Sequence, residues 1–163
     1  MRYVYADQLE QGRAAEASLR AWFVERGRRV RPATRGEQYR GIDMWVTGED
    51  GAWHSVELKA DAKSLTTGNA FLEVVSSVEK GSDGWALTCS AEWLVIAAGP
   101  TLYWLRPGKV RAALDGWDSA YGRRLVKNDS GDTMGVCVPL PLVGGLAECV
   151  GTCPPLTPRD EPR

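Results

Sequence analysis

The segment GIDMWVTGEDGAWHSVELKAD, residues 41–61, constrains this chain more than any other. Two runs of alternating character flank Gly-Glu-Asp-Gly, Gly48 to Gly51, which is a turn signal, so the segment reads as a β-hairpin. Side chains alternate along a strand. Ile42, Met44 and Val46 therefore share one face of the first strand, with Asp43 and Trp45 on the other. On the second strand Val56, Leu58 and Ala60 share a face, and Ser55, Glu57 and Lys59 share the opposite one. If the turn centres on Gly48 to Gly51, the numbers of paired residues sum to 99 or 100. A sum of 100 sets Asp43 opposite Glu57 on one face. A sum of 99 puts them on opposite faces.

Facing carboxylates repel unless something positive lies between them. A hard divalent cation satisfies that condition. Mg²⁺ takes oxygen ligands, commonly one or two carboxylates completed by waters and phosphate oxygens. Asp43, Glu57 and the carbonyl of Leu58 could supply such a shell, with Mn²⁺ able to substitute for Mg²⁺. Lys59, next on the same face, could hold an attacking water or offset developing negative charge. That set suits hydrolysis of a phosphodiester. Taken alone, Glu-x-Lys is common and reads equally as a solvated strand face.

Upstream, QLEQGRAAEASLRAWFVERG reads as a helix, with Asp7 as a possible cap and an end near Gly27. Leu9, Gly12, Glu16, Leu19 and Phe23 fall on one stripe, apolar except for Glu16. Packed on the hairpin, this helix could bring Glu16 to the metal as a ligand or a support. The alternative is an exposed helix acid with the apolar face slightly rotated. Downstream, NAFLEVVSS reads as a third strand and AEWLVIAAGPTLYWLR as a hairpin over Gly99-Pro100. PGKVRAALDGW is expected to be a short helix with Pro107 in its first turn, and MGVCVPLPL a strand. Helix, then strands, then smaller helices give an α/β expectation: a mixed β-sheet flanked by α-helices. With 163 residues, 44% of them hydrophobic, one domain over residues 1–150 is expected, followed by a Pro-rich, disordered tail over 151–163.

Twenty Lys and Arg against 21 Asp and Glu leave a formal charge of −1, so a polyanion partner would need a local patch. Residues 1–43 hold nine arginines and six acids, a balance of 9 − 6 = +3. The densest stretch, RGRRVRPATRGEQYR, contains Arg28, Arg29, Arg31, Arg35 and Arg40. With Lys63 and Lys80 it could grip phosphates without reading bases. Each arginine alone reads as a solvated loop residue. Trp45, Trp53 and Trp85 could stack on open bases, although core packing is the expected role for at least two of them. His54, the single histidine, points away from the Glu57 face and is given no role. Cys89, Cys137, Cys149 and Cys153 lack paired C-x-x-C spacing and read as reduced thiols. No secretory signal or membrane-length apolar run is visible, so a cytoplasmic protein without membrane contact is expected.

Glu16 in GRAAEASL, Asp43 in GIDMWV, and Glu57 and Lys59 in VELKAD together resemble the PD-(D/E)xK nuclease superfamily. Gly12-x-x-x-Glu16, then Gly41-x-Asp43, then Glu57-x-Lys59 is similar to archaeal-type Holliday junction resolvases. Gly68-Asn69-x-x-x-Glu73 and Gly84-Trp85-x-x-Thr88 look more like small phage nucleases of that superfamily. The resemblance covers about the first two thirds of the chain. It implies a restriction-endonuclease-like fold, Mg²⁺-dependent cleavage of branched DNA, roles in recombination and repair, and a homodimer. An exonuclease or restriction-type enzyme of the same superfamily, and a non-catalytic DNA-binding module, remain as alternatives.

Overall fold

The computed structural model describes residues 5–151. A long helix, α1 (Tyr5–Glu25), opens the described chain and ends where Gly27 takes φ 74°, a left-handed value that glycine adopts without a Cβ clash. Asp7 lies inside α1 rather than at its cap. β1 (Val30–Pro32) then leads into a single turn of helix, α2 (Arg35–Gln38). A capping box fixes α2: the Thr34 hydroxyl accepts from the Glu37 N–H, and the Glu37 carboxylate accepts from the Thr34 N–H at 2.7 Å.

The hairpin forms as β2 (Met44–Thr47) and β3 (Trp53–Ala60). Met44 pairs with Val56 and Trp45 with Ser55, so the register is the one summing to 100. Gly48 N–H donates to the Ala52 carbonyl, and Gly51 sits at φ 78°, closing the turn. On its other side β3 runs parallel to β6 (Trp93–Ala98). β6 turns over Gly99-Pro100 into β7 (Thr101–Leu105), which pairs with β10 (Cys149–Gly151). The six strands make one mixed sheet, ordered β1-β2-β3-β6-β7-β10. β3 is therefore an interior strand, and Glu57 and Lys59 lie in the middle of the sheet rather than on an edge.

NAFLEVVSS forms β4 (Asn69–Ser77), but β4 belongs to a second sheet. Its antiparallel order is β5 (Ser82–Asp83), β4, β9 (Thr133–Pro139), β8 (Arg123–Val126). The loop expected after β3 contains a helical turn, α3 (Ser64–Thr67). Its Asp61 carboxylate accepts from Lys63, Ser64 and Phe71 N–H groups, tying the loop to β4. A second helical turn, α4 (Trp85–Thr88), precedes β6. The helix begun by Pro107 runs further than its sequence signal, as α5 (Pro107–Tyr121), and α6 (Leu140–Leu146) continues from β9. Gly151 pairs with Leu102, so strand pairing includes the first residue of the segment expected to be a tail. The rest of that segment, with Cys153, lies outside the described residues.

Two apolar cores result. Leu19 and Phe23 of α1 pack on Met44, Val46, Val56, Leu58, Trp93, Val95 and Trp104. Phe23 and Trp104 meet edge to face at 6.1 Å, and Trp93 and Trp104 at 6.2 Å. On the other face of the large sheet, Leu94, Ile96 and Leu105 join Leu72, Val74, Val136 and Val138 of the second sheet, and Val110 and Leu114 of α5. The helical stripe is buried only in its C-terminal half, at Leu19 and Phe23, while Leu9 is exposed. Alternation also fails at Ile42, which joins the second core while Met44 and Val46 face α1. The chain enters β2 only at Met44, so Ile42 is free of the pleat. Among the described residues, no helix is long and apolar enough to cross a membrane.

Candidate functional site

The site grows from the end of β2. Asp43 immediately precedes that strand, and its N–H donates to the Val56 carbonyl at 2.8 Å. Beyond this point β3 has no strand partner on the β2 side. The Leu58 N–H turns instead to the Asp43 carboxylate, donating to Oδ2 at 2.7 Å. The N–H and C=O of one strand residue point to the same side. The Leu58 carbonyl therefore opens on the edge that Asp43 occupies.

Glu57 is 4% exposed and lies on the sheet face opposite α1, level with Leu94. Its Oε1 accepts from the Lys59 ammonium, whose side chain is about a third exposed. Burial pushes the Glu57 pKa from 4.5 up to about 7. Lys59 pulls it back, and the negative charges of Asp43 and Glu16 push it further up. Lys59 itself is raised: burial acts to lower it, but attraction to Glu57, then Asp43 and Glu73, outweighs that effect. Glu16 is raised first by burial and next by Asp43, while Arg20, at 2.8 Å, opposes both. Glu16, Asp43, Glu57 and Lys59 thus occupy one electrostatic neighbourhood, with Glu16 reaching it from α1.

This donor set could hold a divalent cation. Asp43 is partly and Glu57 almost wholly withdrawn from water, the Asp43 charge makes Glu57 costlier to ionise, and a carbonyl opens beside them. Among the described residues, no group of three or more His, Cys, Asp or Glu side chains is placed to hold a metal ion. An ion held here would keep waters or substrate oxygens, as Mg²⁺ commonly does.

The basic residues divide into two groups. Arg35 and Arg40 are exposed on and after α2, close to Asp43 in the chain. Arg35 lies over the Tyr39 ring and donates to its hydroxyl at 3.2 Å. Arg40 fixes the following segment through its backbone, its carbonyl accepting from Ser90. Lys63 is exposed just beyond β3. Arg28 and Arg29, by contrast, flank the turn end of the hairpin. Arg28 pairs with Glu49 at 3.0 Å, and the Arg29 N–H donates to Thr47, four residues along from Asp43 and so about 13 Å away. Arg31 is held by Glu37 in a bidentate pair at 3.0 and 2.9 Å, which keeps the Glu37 carboxyl well below the usual range.

Trp45 and Trp85 are half-buried against the core, and Trp45 Nε1 donates to Glu37. Trp53 is 41% exposed beneath Arg29. His54 pairs with Glu92 at 2.9 Å, away from the carboxylates. Cys89 and Cys137 are free thiols. Two residues beyond the expected set approach the site: Glu73, which is electrostatically coupled to Lys59, and Trp85, whose ring lies 5.8 Å from Lys59 Nζ. The spacings Gly68-Asn69-x-x-x-Glu73 and Gly84-Trp85 carried that signal, but spacing alone assigned them no contact. Comparisons with protein-family models, curated proteins and solved structures find no match to this chain.

Proposed function

We propose that this chain is a metal-dependent DNA endonuclease of the PD-(D/E)xK type, with a restriction-endonuclease-like core, that cleaves four-way junctions structure-selectively. One observation carries the reading: Asp43, at the end of β2, takes the Leu58 N–H of β3 on its carboxylate, between a buried Glu57 and the Lys59 whose ammonium that glutamate accepts. A charged pair inside a central strand costs stability, and simple DNA binding does not require carboxylates near phosphate.

Asp43, Glu57 and the Leu58 carbonyl would hold Mg²⁺ or Mn²⁺. The chemistry such an ion would supply is acidification of a bound water and neutralisation of phosphate charge. Lys59 would orient the attacking water and stabilise the negative charge that develops on phosphate oxygens. Glu16, kept near the pair by α1 and restrained by Arg20, supports the carboxylates from the side. Arg35, Arg40 and Lys63 flank the site and would hold backbone phosphates, fixing position without reading sequence. Arg28, Arg29 and Arg31 would act farther along the duplex, and the first and last must leave their carboxylate partners to do so. A homodimer would place two such sites on the paired strands of a junction.

The test is cleavage of labelled four-way junction, linear duplex and single-stranded DNA, with Mg²⁺ and with chelator. Symmetric Mg²⁺-dependent nicks confined to the junction support the whole reading. Equal cutting of all three DNAs keeps the chemistry and removes the junction preference. End-dependent digestion identifies an exonuclease. DNA binding with no cutting identifies a binding module.

A further inference from the structure

Residues 33–43 form a loop that leaves the large sheet and returns to it at the acid before β2. The Ala33 N–H donates to the Asp43 carbonyl at 3.0 Å, so the loop opens and closes on Asp43. α2 lies within it and buries no residue, so no apolar packing holds this turn in place. Polar contacts hold it instead. The Glu37 carboxylate accepts from the Thr34 N–H, from Trp45 Nε1 and twice from Arg31, at 2.7 to 3.0 Å. At the other end the Arg40 carbonyl accepts from both the N–H and the hydroxyl of Ser90. Gly41, at φ 69°, lies so close to the next element that a Cβ there would meet the Cys89 Cα at 3.1 Å.

This clamped turn offers Tyr39 to solvent. At 75% exposure it is the most exposed large hydrophobic side chain among the described residues. Arg35 lies over its ring, 5.8 Å from the centroid, and donates to its hydroxyl at 3.2 Å, which restrains the ring from one side. Glu37, the one acid between Ala33 and Ile42, is paired with Arg31. Arg35 and Arg40 are exposed and have no carboxylate partner among the described residues. Tyr39 comes four residues before Asp43, so the two Cα atoms lie at most about 14 Å apart. That is within a few nucleotides of a phosphate held at Asp43.

We propose that Tyr39 stacks on an exposed nucleobase near the scissile phosphate, with Arg35 bracing the ring and Arg40 taking an adjoining phosphate. The neighbouring scissile phosphate rests on the nuclease reading, and the stacking adds to it a means of telling branched DNA from duplex. A base inside a duplex is already stacked on both faces. At a branch point or in a single strand a base can leave its stack, and an aromatic ring can take it. A ring on a turn that is already fixed receives that base without the cost of ordering a loop. Two unpaired guanidiniums beside the ring suit a phosphate-linked base and would be stranded against an apolar protein surface.

The test is a double cycle of affinities on the full chain, in chelator. Tyr39→Ala is combined with an abasic site moved one nucleotide at a time through the branch of a four-way junction. At one position, loss of the base should weaken binding of the unsubstituted protein about fivefold to a hundredfold. Tyr39→Ala should weaken binding to the intact junction by a similar factor, and the two changes together should cost no more than either alone. Tyr39→Phe should bind as the unsubstituted protein does. Tyr121→Ala, at the exposed end of α5, should couple to no position. Tyr39→Ala should also leave the salt slope and the affinity for linear duplex unchanged, since it removes no charge. Additive losses at every abasic position, or an unweakened Tyr39→Ala, overturn the proposal, and so does a protein that binds no DNA. A coupled base in a protein that cuts no DNA with Mg²⁺ keeps the stacking site and removes the nuclease reading. Mg²⁺-dependent cutting without a coupled base keeps that reading and removes the stacking site.

Discussion

Replacing Glu57 by glutamine should stabilise this protein at alkaline pH while abolishing the proposed cleavage. The folded chain moves the Glu57 pKa from 4.5 to about 7, chiefly because the carboxylate is buried. An acid raised on folding binds more protons in the native state than in the unfolded one. Stability therefore falls as pH rises, starting near 4.5 and complete once pH passes about 7. At 1.36 kcal/mol per pKa unit the loss is about 3 kcal/mol, and the attraction to Lys59 is already contained in it. Glutamine resembles the protonated side chain and carries no such penalty. At pH 8 the variant should gain up to ~3 kcal/mol, or roughly 6 to 12 °C in Tm for a domain of this size. Below pH 4.5 the two proteins should converge. Urea unfolding followed by tryptophan fluorescence, in chelator, at half-unit steps from pH 4.5 to 8.5 would measure it. Adding Mg²⁺ at a hundred times its Kd should return about 2.7 kcal/mol to the unsubstituted protein at pH 8 and far less to the variant. Parallel stability profiles for the two proteins would refute the claim that Glu57 is held ionised at a cost.

Other consequences follow from single contacts. If Lys59 acts as proposed on charge that develops during reaction, Lys59→Ala should lower the cleavage rate by about 10² to 10³, with DNA affinity within tenfold; equal losses in both would make it a binding residue. Gly84→Ala drives a Cβ to 2.3 Å from the Glu73 carbonyl oxygen, where no flexible side chain can yield, and should cost about 1–3 kcal/mol in urea unfolding. Gly116→Ala, exposed in α5 with nothing within 4 Å, should instead gain about 0.5–1 kcal/mol. Arg40→Ala should weaken binding alike on all DNA sequences and lower the salt slope by about 1, whereas Arg28→Ala, already paired with Glu49, should change the slope less.

The hairpin was legible because its information is local. Alternation assigns faces, Gly48 to Gly51 fix the turn, and together they leave two registers, of which the structure has the one summing to 100, with Met44 opposite Val56 and Asp43 just past the last pair. Leu19 and Phe23 were legible for the same reason, since helical period decides their face within two turns. Local rules lost their hold where an element ends. Ile42 was assigned by alternation, but it precedes β2 and follows the turn after α2 into the other core. Asp7 looked like a cap, yet the helix continues through it. Pattern also says nothing about which strands pair. β4 reads as a strand and is one, but its partner β9 begins 56 residues after β4 ends, at Thr133 beyond Ser77, and no alternation encodes that choice.

The same division explains why the site was half visible. Asp43, Glu57 and Lys59 break a local rule, placing charge where a core strand wants apolar side chains, and a broken rule can be seen in one dimension. Glu73 breaks none: β4 alternates buried and half-buried residues, and a glutamate on its less buried face is ordinary. Lys59 meets Glu57 on its own strand, which spacing shows, while the Trp85 ring reaches it from a later turn, which spacing does not show. The arginines show the converse limit of spacing. Their density in sequence suggested one patch, but Arg31 and Arg28 are spent on Glu37 and Glu49, and the backbone places Arg29 at the far end of the hairpin. Charge counted along a chain measures supply. Which charges are left to meet a phosphate is decided by the carboxylates that the fold delivers to them.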